Sequence, residues 1–371
     1  MTASVSEQTY GLESGTPDVA SVGPITFSPD GILFLADNAK AKIVALDVSG
    51  GDPVQAPISV DNLDARLASY LGCGVADVHV RDMAVHPLTN EVYFSIMRGA
   101  GSAASPLIVK VDGDGAIAEV PLEDVRFAEA AIDDAPGEDD ERVAGRIVPA
   151  GSSEGEDFEI ASMGLTIRLA REPLRTVTVT DLAYVDGTLL VAGASNEEFS
   201  SSLRRIPFPF GERGSRSSLE IFHTSHGKWE TASPINKFVP FDGGRSVLAS
   251  YTCTPVVRFQ IADLEPGAHV VGSTVAELGP VNTPLDMIAY EHDGSEYLLV
   301  CNTRHPLLKL GCGAIDGQPA LTDHTDGAGL PRTDLPHQGV SHLATLGGEY
   351  ALMVQRDDAG THLRSYSLAS L

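Results

Sequence analysis

Apolar and polar residues alternate in short paired runs along most of the chain. The clearest pair is residues 179–193, VTDLAYVDGTLLVAG: a polar lead-in ending at Asp181, an apolar run, a Val-Asp-Gly turn and a second apolar run. Alternation with a period of two marks strands, and a glycine free to take positive φ suits the tight turn between antiparallel partners. The phrase recurs at 25–47 (with the turn Pro29-Asp30-Gly31), 80–96, 235–250, 285–301 and 340–354. Third strands are expected to follow at 107–112, 203–206, 256–261, 307–310 and 363–368. Residues 61–71, DNLDARLASYL, break the pattern. Leu63, Leu67, Tyr70 and Leu71 share a helical face, with Asp61 as the expected cap.

Six copies at intervals of mostly about 45–60 residues match the repeat length of propeller blades. One such unit cannot bury both faces alone, so the units must stack around an axis. The expectation is an all-β, six-bladed β-propeller of four-stranded antiparallel blades. Seven blades is the alternative, because the interval from Asp82 to Asp181 is long and residues 165–169 read as a strand. Residues 1–20 read as a flexible N-terminal arm and 21–371 as a single propeller domain. An acidic loop insertion is expected at about 124–176. Its runs DDAPGEDDE (133–141) and GSSEGEDFE (151–159) are acidic, rich in Gly, Ser and Pro and short of aromatics, the composition of a mobile loop or lid.

The phrases FSPDGILFLAD and TDLAYVDGTLLVAG resemble those of the NHL, YVTN and SMP-30/gluconolactonase-like group of β-propellers. The resemblance covers most of the chain as repeats and implies the fold; it leaves activity open, since propellers host many functions. SMP-30-like lactonases open on a Glu-Gly-Pro phrase whose Glu binds metal, and here Val22-Gly23-Pro24 stands in that place.

The 51 acids against 25 bases give a net charge of −26. Such a surface repels phosphates, which disfavours nucleic acid and anionic membrane as partners. No apolar run approaches the ~20 residues of a spanning helix. The first residues lack a basic, apolar leader, so the sequence as written reads as cytoplasmic; a periplasmic or secreted protein whose leader has been removed would read the same. Four cysteines without a Cys-x-x-Cys pair exclude a zinc knuckle and a disulfide scaffold. A monomer is expected.

Candidate chemistry lies where the innermost strands begin. Asp82, Asp181, Asp286 and His342 stand at those positions, with Lys237 in the weakest copy. Converging carboxylates raise one another's pKa or gather a cation; equally, each can bond backbone amides and tie neighbouring blades. Asp181, Asp286 and His342 are the candidate catalytic groups. Loops after the second strands reach the same rim and bring Asn196, Glu197, Cys253, Arg304 and His305. Asp82, Asn196, Glu197, Cys253 and Arg304 are candidate substrate-binding residues. An arginine there suits a carboxylate or phosphate, and Cys253 suits a thiolate ligand or nucleophile. His223 and His226, three apart, with His305 are candidate ligands for a divalent transition metal, imidazole being suited to zinc, copper or iron. Calcium is the alternative ion for the carboxylates.

Two functions remain open from sequence. One is a propeller binding a small molecule at its channel mouth, as a metal-assisted hydrolase, lyase or oxidoreductase. The other is a non-catalytic propeller presenting its loops to a protein partner.

Overall fold

The structure, a computed structural model, describes residues 10–371 except 49–50, 52, 149–154 and 162–163. The apolar pairs form antiparallel hairpins in all six expected places. In chain order, the innermost strands are Ile25–Phe27, Val78–Val85, Asp181–Val185, Lys237–Phe241, Pro284–His292 and Val340–Leu346, here the first strands of sheets one to six. Each is followed outward by the second and third strands of its repeat. Strands of alternating direction put the starts of first strands, the ends of second strands and the ends of fourth strands on one rim.

The six first strands pack side by side in a closed ring, and the fold is a β-propeller. An apolar cluster fills each gap between neighbouring sheets. Phe34, Leu189 and Val191 lie between sheets one and three; Phe94, Val109 and Leu352 lie between sheets two and six. This is why every second strand reads as a nearly continuous apolar run: a blade is covered on both faces.

The order around the ring is not the order along the chain. It runs two, one, three, four, five, six and back to two. Three aspartates record this. Asp181 Oδ2 accepts the Phe238 amide at 2.7 Å and Asp286 Oδ2 accepts the Leu343 amide at 2.8 Å, each reaching forward in sequence. Asp82 Oδ2 accepts the Ile25 amide at 2.8 Å, reaching backward. Sheet one is thus built from the first strands of the chain plus Val125–Ala131, which arrives after sheet two and pairs with Lys42–Asp47. Ser59–Val60 pairs with Gly360–Ser367 and supplies the outer strand of sheet six.

Several sequence expectations change in detail. Glu13–Gly15, within the expected flexible arm, pairs with Val125–Ala131 at the edge of sheet one; residues 1–9 lie outside the described residues. The acidic insertion carries secondary structure of its own. Val125–Ala131 belongs to sheet one, and Val143–Val148, Glu156–Ile160 and Leu165–Pro173 form a three-stranded sheet outside the ring. The strand expected at 165–169, offered above as the trace of a seventh blade, is part of that side sheet. Of the second acidic run, 151–154 lies outside the described residues. The insertion is fastened to sheet three by Arg204, which is 3% exposed. Its guanidinium meets Asp134 at 2.7 Å and donates to the Thr178 and Ala194 carbonyls.

The helix runs Leu63–Leu71, with Leu63, Leu67 and Leu71 buried against sheets two and six. Asp61 does not cap it: that carboxylate pairs with His362 and Arg364 instead, and Asn62 holds the N-cap in a left-handed conformation. Gly72 ends the helix at φ 65°, the conformation glycine takes without a steric penalty.

Candidate functional site

Two clusters of ionisable groups result, one on the ring axis and one on its rim. On the axis, Lys237 Nζ stands 3.2 Å from Asp82 Oδ1 and 3.4 Å from Asp181 Oδ1. Asp286 completes the group, accepting the Met287 and Leu343 amides. Burial pushes the Asp181 and Asp286 carboxyls above their usual range, against the pull of Lys237. Burial also works against charge on Lys237, yet Asp181, Asp82 and Asp286 together hold its ammonium well above the ordinary value. His342, beside them, is pushed down to about 4 by burial and is neutral; its Nδ1 lies 2.9 Å from Ser341 Oγ. Asp82, Asp181, Lys237 and Asp286 line an axial cavity of about 480 Å³ whose walls continue through Phe27, Pro29, Met83, Pro87 and Tyr184. Every one of the three carboxylates therefore joins sheets, and the ammonium balances part of their charge.

The rim cluster is built by a short hairpin. Ser215–His223, the fourth strand of sheet three, turns through Thr224–Gly227 into Lys228–Glu230. Gly227, at φ 63°, closes the turn as its amide bonds the Thr224 carbonyl. The register sets Ile221 opposite Glu230 and Phe222 opposite Trp229. His223 and Glu230 consequently share one face, while Trp229 packs edge-on against Phe222 on the other. Glu230 then holds both imidazoles: Oε2 is 2.6 Å from His223 Nδ1 and Oε1 is 2.8 Å from His226 Nδ1. The rings stack with centroids 3.9 Å apart. With both Nδ1 atoms taken, each ring's second nitrogen, Nε2, is the one left to bind; that of His223 is buried without a protein partner.

Cys253 approaches from the loop after the second strand of sheet four. Its amide donates to the Asn282 carbonyl at 2.7 Å, and Cys253 and Thr254 both take left-handed φ, 63° and 55°. A non-glycine residue there is strained, and two in succession persist only where surroundings over-determine them. The result is that ligand atoms of His223, His226 and Cys253 lie within 4.8 Å of one another. Behind them Glu277, 3% exposed, accepts from Thr224 and Thr254 and is pushed up by burial.

The three groups polarise one another. Burial works against a Cys253 thiolate, but His223, His226 and the Val281 amide outweigh it and bring the thiol down to about 6. Cys253 and then Glu230 hold the His226 imidazolium up to about 10. Burial works against charge on His223 too, and Cys253 and Glu230 reverse it, raising its pKa. Glu230, against its own burial, is held far below the carboxylate range by the two imidazoles. Metal-free protein should therefore show one acidic thiol. Iodoacetamide should modify Cys253 with a midpoint near 6, against ~8.5 for free cysteine. Cys301 and Cys312, buried and with thiols pushed up, should stay unmodified. His226→Ala should move the Cys253 midpoint upward, read by peptide mass spectrometry across pH; a midpoint at or above that of free cysteine would contradict the pairing.

The sequence-derived candidates divide between these places. Asp82, Asp181, Asp286 and His342 meet on the axis. His223, His226 and Cys253 meet on the rim. His305 stands outside that triad, in the Asn302–His305 loop of sheet five, against Gly279. Arg304 donates Nη1 to the Pro280 carbonyl at 2.7 Å. Asn196 and Glu197 face the insertion, their carbonyls accepting from Arg142. Glu230 escaped the sequence reading. Its signal was its position: seven residues past His223, across a glycine turn, where a hairpin returns it to the same face.

No protein-family model matches the chain, and no curated protein does. Among solved structures it is similar to a streptogramin B lyase structure, with 12% identity, 96% of this chain and 97% of that one covered, and a TM-score of 0.40. It is similar to RRP9 WD40 repeats at 12% identity, covering 96% and 97% with a TM-score of 0.38. The PQQ-bound aldose sugar dehydrogenase of Streptomyces coelicolor matches at 12% identity over 95% and 96%, with a TM-score of 0.33. Among the described residues no helix is long and apolar enough to cross a membrane.

Proposed function

We propose that the protein is a metal-dependent enzyme acting on a small molecule at the rim of the propeller. Nε2 of His223, Nε2 of His226 and Sγ of Cys253 would hold a divalent transition metal. The observation that carries this reading is that one carboxylate, Glu230, orients both imidazoles while a third donor from another sheet closes on them. A carboxylate behind a ligating histidine fixes the ring and its tautomer, as in known zinc sites. Two nitrogens and a thiolate suit zinc and not calcium, which takes oxygen ligands. Three protein donors leave a fourth position for water or substrate, the arrangement of catalytic and not structural zinc. A metal there supplies a Lewis acid and lowers the pKa of bound water. Glu277, buried and accepting from Thr224 and Thr254, the neighbours of His223 and Cys253 in the chain, is the carboxyl this reading assigns to take up a proton.

The test is elemental analysis of protein purified without chelator. About one equivalent of zinc or a neighbouring metal is expected, falling to near zero in His226→Ala. Affinity should rise with pH, because the His226 imidazolium, held up to about 10, must lose its proton to bind. Fully folded protein that takes up no metal on dialysis against zinc would overturn the reading.

A further inference from the structure

Five of the ten buried polar atoms without a protein partner among the described residues come from the segments around Cys253: His223 Nε2, Ser225 Oγ, Asn282 Nδ2, Thr283 Oγ1 and His305 Nε2. Such atoms are rare in folded proteins, where water, an ion or a ligand commonly completes their bonding. His223 is accounted for by the metal. Ser225 belongs to the imidazole hairpin itself, and Asn282, Thr283 and His305 lie where sheet four passes into sheet five.

The segment 278–283 is held close to the thiolate. The Val281 amide donates to Cys253 Sγ, and the Asn282 carbonyl accepts the Cys253 amide. Val281 takes φ 59°, a genuine outlier for a β-branched residue. Asn282 is fully buried, and its Oδ1 is already occupied by Thr303 Oγ1 at 3.2 Å. Its amide Nδ2 thus remains as a buried donor with nothing to meet.

Two guanidiniums flank this corner. Arg304 anchors on the Pro280 carbonyl, one residue from the amide that touches the thiolate, and not on a carboxylate. A guanidinium offers five N–H donors in a fixed fork, so four remain after that bond. Arg332 stands behind, on the Leu278 carbonyl, with Asp334 as its counter-charge. His305 is kept neutral by burial and by the two arginines, so it can still donate one N–H. The unmet groups are donors or hydroxyls, next to a guanidinium, and the carboxylates nearby are already engaged, Glu277 by the Gly279 amide and two threonines and Asp334 by Arg332.

We infer that segment 278–283 and the Asn302–His305 loop form an oxyanion pocket that seats the acid group of the substrate, a small carboxylate or phosphate, beside the open position of the metal. Asn282 Nδ2 and the Arg304 guanidinium are its binding groups, with Thr283 and His305 at its wall. This rests on the metal reading above.

Cobalt(II) in place of zinc makes both claims visible, because its d–d bands report coordination and its thiolate charge-transfer band reports Cys253. Acetate and inorganic phosphate are titrated separately into the cobalt protein. A saturable change in the d–d bands is expected with at least one, and the tighter of the two names the acid group. Arg304→Ala should weaken that titration about tenfold, the loss of one charge-assisted contact, with cobalt content unchanged. Asn282→Asp keeps the shape and the Cys253 backbone bond but puts a negative charge in the pocket, and should abolish it. Unchanged spectra with either anion in protein that holds cobalt, or an Arg304→Ala protein that titrates like wild type, overturns the pocket and leaves the metal site standing. Absence of the thiolate-to-cobalt band overturns the metal site and the pocket with it.

Discussion

Replacing Lys237 with methionine should cost about 3–5 kcal/mol of stability near neutral pH, the range found when one partner of a buried ionic group is removed. Methionine fills the same volume, so the loss would be electrostatic. Lys237 stands between Asp82 and Asp181 with Asp286 close by, and all three carboxylates are buried where first strands meet. Without the ammonium, three like charges face one another in low dielectric, and their pKa values must rise further. The sign of the pH dependence follows. Asp181 and Asp286 already have carboxyls raised above the unfolded range. A raised acid binds protons more tightly folded than unfolded, so its contribution falls as pH rises through the folded pKa. The Lys237→Met penalty should therefore be larger at about pH 8 than at about pH 5, where more of the carboxyls are protonated. Denaturant midpoints of both proteins at the two pH values measure it. Equal midpoints near neutrality would show that the cluster is neutral without Lys237.

Cys253→Ala should remove the metal altogether. Loss of a group that merely supports a ligand weakens metal affinity by roughly 10–100-fold; loss of a ligand from a set of three must exceed that. Two imidazoles stacked at 3.9 Å would remain. Both would still be pinned by Glu230, so the hairpin should stay in place, while metal-free protein loses the thiolate that balances the imidazoliums and should melt lower. Isothermal titration with zinc, alongside a melting curve, separates the two. Zinc binding of wild-type strength in Cys253→Ala would remove the thiolate from the site.

The ring was legible in the sequence because its signal is local: six apolar pairs, each with its turn, at a regular interval. What could not be read was which sheet lies beside which. Nothing in residues 25–47 says that their neighbours are Asp82 on one side and Val179 on the other, where Asn38 bonds the Val179 backbone through both side-chain atoms. The side sheet was obscured by composition, since residues 156–160, EDFEI, read as solvated acid although they pair with Leu165–Pro173. For the rim, His-x-x-His was visible and its partners were only half so. Cys253 was singled out as a substrate group, and the structure sets it beside the two histidines. The link to Glu230 depends on hairpin register, and the link to Val281 on a left-handed backbone that no residue type announces. On the axis, carboxylates at matching places in three repeats were expected either to converge or to bond amides and tie neighbouring blades, and they do both.

The exchanged order of sheets one and two sets a timetable for synthesis. The strands at 25–47 leave the ribosome first, yet their outer partner is Val125–Ala131 and one of their flanking sheets starts only at Asp181. At about 5–20 residues per second, they wait on the order of ten seconds with fully buried side chains such as Leu33, Phe34 and Leu35 uncovered. The strand Ser59–Val60 waits longer, for Gly360–Ser367, about three hundred residues further along. A nascent chain of this kind has two open slots at once, and a holding chaperone would find both in the first sixty or so residues. Slow, concentration-sensitive refolding from denaturant is the signature of such a chain outside the cell.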